Sequence, residues 1–150
     1  MRSLNRRQAF ALGGGFIALT LMPMAADAQV SNDAAELMKK FTGGKEPAKG
    51  RITLDVPEIA ENGNTVPLSV SVDSPMTPDA YVKEVMILAD GNPNAGVATL
   101  TFTPMSGKAE ASIRIRLAAT QNVVAIAKMN DGSCFTERKS VKVTIGGCGG

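Results

Sequence analysis

Two stretches of strict alternation constrain this chain more than any other feature. Val66, Leu68, Val70 and Val72 alternate with Pro67, Ser69, Ser71 and Asp73. Ala109, Ala111, Ile113, Ile115 and Leu117 alternate with Glu110, Ser112, Arg114 and Arg116. A repeat of two places every second side chain on the same side of an extended backbone, so each run is a strand with one buried and one wet face. The segments RITLDV, YVKEVMIL, VATLTF, NVVAIAKM, CFTERK and VKVTI read as further strands. Turn formers separate them: Glu61-Asn62-Gly63-Asn64, Ala89-Asp90-Gly91-Asn92-Pro93, Ser106-Gly107 and Asn130-Asp131-Gly132-Ser133. Asp90-Gly91 and Asp131-Gly132 read as plain hairpin turns. Seven or eight short strands with a break about every ten residues predict an all-β, immunoglobulin-like antiparallel sandwich, with a small barrel as the alternative.

Ahead of the strands, Ser31-Asn32-Asp33 followed by AAELMKKF and Gly43-Gly44 predicts one short helix. Ser31 or Asn32 would cap it, acids come early, lysines come late, and glycine ends it. Its stripe of Leu37, Met38 and Phe41 is expected on the domain edge, or else against a partner protein.

Residues 1–28 read as an address. Asn5-Arg6-Arg7-Gln8-Ala9-Phe10 is a twin-arginine start, Ala11 to Met22 is apolar but too short to span a bilayer, and Ala26-Asp27-Ala28 is an A-x-A cleavage site. The expected organisation is therefore a twin-arginine signal peptide at 1–28, a short helix and linker at 29–50, a β-sandwich at 51–145 and a glycine-rich arm at 146–150. The expected location is the periplasm, with no membrane attachment after cleavage.

Charge matters once the leader is set aside. The full chain has 16 Lys and Arg against 14 Asp and Glu; Arg2, Arg6, Arg7 and Asp27 leave with the leader, so 13 of each remain. With neither net charge nor a basic cluster carrying interleaved aromatics, nucleic acid and anionic lipid are excluded as partners. The chain has no His and no Trp, which excludes Cys-His and Ser-His nucleophilic pairs, cupredoxin copper sites and His-ligated zinc or haem. No cofactor is expected. The twin-arginine route carries folded proteins, and a folded partner travelling with the chain is the more natural reason for its use here.

The chemistry then falls to the tail, VTIGGCGG. Alternation stops at Ile145, and Gly146, Gly147, Gly149 and Gly150 surround Cys148. Glycine visits both signs of φ and has no side chain, so the five residues are expected to form a thin, flexible arm placing Cys148 roughly 10 Å beyond the last strand. No histidine, helix N-terminus or fixed cation is at hand to lower the thiol's pKa, and a terminal carboxylate opposes the thiolate. Such a thiol suits covalent attachment rather than catalysis: a carrier, with other proteins performing the reactions. Three other readings stand beside it. The tail is simply disordered, or Cys148 pairs with Cys134 in a structural disulfide of an exported binding module, or Gly149-Gly150 is activated as a thiocarboxylate.

GGCGG after VKVTI, the twin-arginine leader, and the segments ENGNTVP, VDSPMT, ADGNP, FTPMSGKAE, RIRLAATQNVVAIA and DGS together resemble the SoxY family, sulfur carriers of bacterial thiosulfate oxidation. The resemblance implies an immunoglobulin-like sandwich in a heterodimer with a SoxZ-like subunit, the glycines as a swinging arm, and Cys148 as the point of covalent attachment. It further implies loading by a c-type cytochrome, sulfate release by a manganese hydrolase and oxidation of the remaining sulfur by a molybdenum-haem dehydrogenase, with the metals held by those partners. Cys134 departs from the single cysteine expected of the family. Exposed, it would trap Cys148 in a disulfide or link two chains; it is instead expected to point into the sandwich as a small, inert apolar residue, with Phe135 facing the other way, outward or under a loop.

Overall fold

The computed structural model of the protein describes residues 33–147. The leader, the cap candidates Ser31 and Asn32, and Cys148, Gly149 and Gly150 lie outside the described residues. Within them the order is helix α1 (Ala34–Thr42), β1 (Ala48–Lys49), β2 (Ile52–Asp55), β3 (Ile59–Asn62), β4 (Val66–Val72), β5 (Val82–Ala89), β6 (Gly96–Thr101), a 3-10 turn at Pro104–Ser106, β7 (Ala109–Ile115), β8 (Gln121–Met129) and β9 (Cys134–Ile145).

The strands form two sheets. The larger runs β1-β9-β8-β5-β6, with β3 also on β9; the smaller runs β2-β4-β7. Both long alternating runs lie side by side in the smaller sheet, where Val66 to Val72 pairs with Ile115 to Ala109 in an unbroken antiparallel register. Their apolar members, with Leu54 from β2, face Val85, Ile87, Val123, Ala125, Ala127 and Val141 of the larger sheet and close one core. This is an all-β sandwich with one short helix, in which two brief pairings, β1 and β3 on β9, are parallel.

Strand β8 is apolar on both faces because both are covered. Odd-numbered Val123, Ala125 and Ala127 enter the core between the sheets, while Val124 and Ile126 join Met86, Leu88 and Ala95 in a second cluster beneath α1. Ala34, Leu37, Met38 and Phe41 of the helix cover that cluster, so the stripe meets the chain's own larger sheet. Lys128 holds the helix end, with its Nζ 5.6 Å from the Phe41 ring centre and 3.4 Å from the Phe41 carbonyl. Asp33 occupies the cap position, but its carboxylate accepts the Ala95 N–H at 3.0 Å, tying the helix start to the loop before β6. Gly43, at φ +67°, ends the helix in the left-handed conformation that glycine adopts without cost.

CFTERK and VKVTI form a single strand. β9 pairs with β8 from Cys134 opposite Lys128 to Val141 opposite Gln121, and then continues alongside β3 to Ile145. The charged middle of β9, Glu137 to Lys139, hides this continuity in the sequence. Those residues nevertheless keep their register with Val123 to Ala125.

Candidate functional site: the seat of the C-terminal segment

β9 leaves the sandwich at an end where three connections converge, namely the β3–β4 turn, the β5–β6 connection and the β7–β8 loop. Backbone hydrogen bonds join them to the chain's exit. The Gly63 N–H donates to the Ile145 carbonyl at 2.7 Å, the Leu117 N–H to the Gly63 carbonyl at 2.8 Å, and the Gly147 N–H to the Leu117 carbonyl at 3.0 Å. Gly147 is buried by these contacts.

Gly63 and Gly146 are required by space, and Gly147 is tightly fitted. A Cβ on Gly63 would collide with the Leu117 carbonyl and approach the Gly147 nitrogen to 2.7 Å and Val143 Cγ1 to 3.0 Å. One on Gly146 would strike the Ala118 carbonyl, and one on Gly147 would lie 3.0 Å from the Gly63 carbonyl and 3.2 Å from Asn64 Oδ1. Gly146 and Gly147 were expected to be part of a free tether; the structure places them against the body, because their missing side chains let two backbones meet.

Buried polar side chains shape the seat. Asn92, 2 % exposed, donates from Nδ2 to the Arg116 carbonyl at 2.9 Å and accepts at Oδ1 from the Ala118 N–H at 2.9 Å and from Gln121 Nε2 at 2.8 Å. Gln121 in turn donates to the Ala119 carbonyl at 3.0 Å and accepts the Gly91 N–H at 2.8 Å. ADGNP is thus more than a hairpin turn: it fixes the β7–β8 loop, and with it the carbonyls that receive the C-terminal segment. Thr120 extends the ladder beyond the start of β8, its hydroxyl accepting the Val143 N–H at 3.0 Å. The Thr144 hydroxyl reaches the Glu61 carbonyl at 2.9 Å and fastens the other edge of β9 to β3. On the turn, Asn62 Oδ1 accepts the Asn64 N–H at 2.9 Å.

Cys134 stands at the far end of the same strand. It is 7 % exposed, and its Sγ lies 3.7 Å from the Gly132 carbonyl on the hairpin. Burial raises its pKa, against a smaller opposing effect of Lys128 and Lys45. Cys134 was expected to point into the sandwich and Phe135 away from it; the structure reverses this, because Phe135 lies opposite the core residue Ala127 and packs on the core, with the Arg51 guanidinium 5.0 Å from its ring centre, while Cys134 is buried on the other face opposite Lys128. A Cys134–Cys148 disulfide needs Cα atoms within about 7 Å. The stretch from Cys134 to Val141, paired throughout with β8, already spans about 23 Å. Gly147 lies beyond the opposite end, and one further peptide adds only about 3.8 Å, so the disulfide would require β9 to be dismantled.

Among the described residues no group of three or more His, Cys, Asp or Glu could hold a metal ion. No helix there is long and apolar enough to cross a membrane. A shallow depression of about 280 Å³ on the outer face of the smaller sheet is lined by Thr53, Asp55, Ser69, Ser71, Glu110 and Ser112. Ser69 and Ser112 pair with each other at 2.8 Å. What the exit does is hold Gly147.

Known proteins share this fold. The family described as sulfur oxidation protein SoxY matches residues 38–148, a span that includes Cys148. Among solved structures, the sulfur carrier protein SoxY from Chlorobium limicola f thiosulfatophilum is similar at 32 % identity, over 74 % of this chain and 94 % of that one, with a TM-score of 0.59. A superoxide reductase (neelaredoxin) from Ignicoccus hospitalis shares the fold at 19 % identity, over 64 % of this chain and 82 % of that one, with a TM-score of 0.57. A putative superoxide reductase from Thermotoga maritima does so at 16 %, over 69 % and 89 %, with a TM-score of 0.52. No curated protein sequence matches the chain.

Proposed function

The chain belongs to the SoxY family of sulfur oxidation proteins, and on that premise we propose that it carries sulfur-oxidation intermediates covalently on Cys148 and presents them to partner enzymes. The observation that carries this reading is the seat at Gly147. The body grips Gly147, the residue directly before Cys148 in the sequence, and the family match continues through that cysteine.

The chemistry divides accordingly. Loading joins the Cys148 sulfur to the outer sulfur of thiosulfate, releasing the thiol proton and two electrons, which a c-type cytochrome accepts. The product is a cysteine S-thiosulfonate. Water then cleaves the bond to the sulfonate sulfur on a manganese hydrolase, giving sulfate, a proton and a persulfide on Cys148. A molybdenum-haem dehydrogenase oxidises the persulfide's outer sulfur. The chain itself acts as a non-catalytic subunit, paired with a SoxZ-like protein and exported folded to the periplasm by its leader. Gly149 and Gly150, having no side chains, put no bulk next to the thiol in sequence.

Intact-mass measurement tests the reading. Protein exposed to thiosulfate and its partner enzymes should gain a thiosulfate-sized adduct on Cys148 that reductant removes. Cys148→Ser should gain none, should fold normally, and should abolish thiosulfate oxidation in a strain lacking the native copy. Survival of thiosulfate oxidation in that strain would overturn the proposal.

A further inference from the structure

Two arginines flank the seat. Arg114, on β7, donates from Nη1 to Thr65 Oγ1 at 3.3 Å, which turns its guanidinium toward the β3–β4 turn. Arg116 directly precedes Leu117, the residue whose carbonyl binds the Gly147 N–H, and its own carbonyl is fixed by Asn92 at 2.9 Å. Both side chains are exposed, and their spacing of two in an extended run puts them on the same side. Neither makes an ion pair: among the described residues the ion pair is Lys108 with Glu110, at 3.9 Å. Glu110, the carboxylate on the same face of β7, lies four residues back, about 13 Å along the strand. The side-chain amide of Asn64 borders Gly147.

We propose that Arg114 and Arg116 form a binding site for the oxoanion end of the group carried on Cys148. The inference rests on the reading of Cys148 as the carrier. Covalent geometry and the Gly147–Leu117 hydrogen bond keep the Cα of the residue after Gly147 within about 14 Å of that of Arg116. An arginine and a sulfonated cysteine side chain span that gap between them. A sulfonate offers one negative charge and three acceptor oxygens, the pattern that guanidinium groups bind with paired hydrogen bonds. The site distinguishes loading states: a thiosulfonate rests on the arginines, whereas the persulfide left after sulfate release has no sulfonate to hold. The body thus keeps the anionic intermediate close and frees the arm once that charge has gone.

The test uses the reduced purified protein, in which Cys134 is buried, and reads alkylation at Cys148. Alkylation by iodoacetate, an anion, is compared with alkylation by iodoacetamide, its neutral counterpart; the ratio of rates cancels any change in thiol pKa. In the Arg114→Gln, Arg116→Gln double variant the ratio should fall about three- to ten-fold at low salt. Tetrathionate then loads the wild-type thiolate as a thiosulfonate, with thiosulfate leaving, and methyl methanethiosulfonate supplies a neutral methyl disulfide with methanesulfinate leaving. The Arg114 and Arg116 Nε resonances should shift on thiosulfonate loading alone. An unchanged rate ratio, or equal shifts with both adducts, overturns the proposal. Both readouts are independent of the Sox pathway, so a failure of the carrier reading in the Cys148→Ser strain would be recognised separately.

Discussion

Replacing Gly63 by alanine should loosen the seat without unfolding the protein. The added methyl would collide with the Leu117 carbonyl and crowd the Gly147 nitrogen at 2.7 Å and Val143 at 3.0 Å. Two of those three neighbours are backbone atoms and cannot rotate away. Relief requires the β3–β4 turn to move off the β7–β8 loop, at the expense of the Leu117–Gly63 and Gly147–Leu117 hydrogen bonds, 2.8 and 3.0 Å long. Two such bonds contribute about 1 kcal/mol each, net of water. Residual crowding adds about 1–3 kcal/mol, for an expected loss of about 3–5 kcal/mol. A domain of this size has about 5–15 kcal/mol to lose, so Gly63→Ala should remain largely folded in dilute buffer. Urea denaturation should show a midpoint lower by about 1.5–2.5 M, for a slope of about 2 kcal/mol/M. Amide hydrogen exchange at Gly147 should accelerate more than ten-fold, while Val85 and Ala125 in the core keep their relative protection. Gly107→Ala is the control, because that site has open space and a positive φ of 71°; it should cost about 1 kcal/mol and leave Gly147 protected. A Gly63→Ala protein within about 0.5 kcal/mol of wild type, with Gly147 exchange unchanged, would refute the close-approach argument.

Asn92→Ala should destabilise the protein by about 3 kcal/mol, because the Arg116 carbonyl, the Ala118 N–H and Gln121 Nε2 all lose a buried partner; thermal unfolding measures it, and a loss below 1 kcal/mol would contradict the network. In native protein a thiol reagent should titrate one cysteine, and in denatured protein two, since Cys134 is buried. Because burial raises the Cys134 pKa, the folded state holds that proton more tightly than the unfolded chain. Its contribution to stability is complete below the ordinary value of 9.0 and declines as pH rises above it. Cys134→Ala should flatten that alkaline decline, as read from urea midpoints on either side of pH 9.0.

The sandwich was legible because alternation reports a half-buried strand directly, and the two clearest runs proved to be neighbours in one sheet. Strands β1 and β3 left no such trace. Each is a short parallel addition to the edge of β9, held by backbone pairing, so no side-chain period marks it. The glycines at 146 and 147 were visible as glycines, but a missing side chain serves a tether and a close backbone contact equally well. Only the neighbours decide, and Gly63 and Leu117 are far away in sequence. The same holds for Asn92. Its type suits a turn, and nothing in ADGNP shows that the amide is buried against Arg116 and Ala118. Arg114 and Arg116 read as the wet face of a strand, which they are; their nearness to the C-terminal exit comes from the fold.

β9 has a kinetic consequence as well. It lies inside the larger sheet, with β8 on one edge and the early strands β1 and β3 on the other, and its bond from Thr144 to Ala60 joins residues 84 positions apart. Until residues 134–145 are available, β1 and β3 have no strand to join and β8 lacks one edge. Contacts this distant in sequence make for slow folding, in milliseconds to seconds rather than microseconds. The larger sheet therefore closes late and nearly all at once, so a chain interrupted before β9 would expose the open edge of β8 to aggregation.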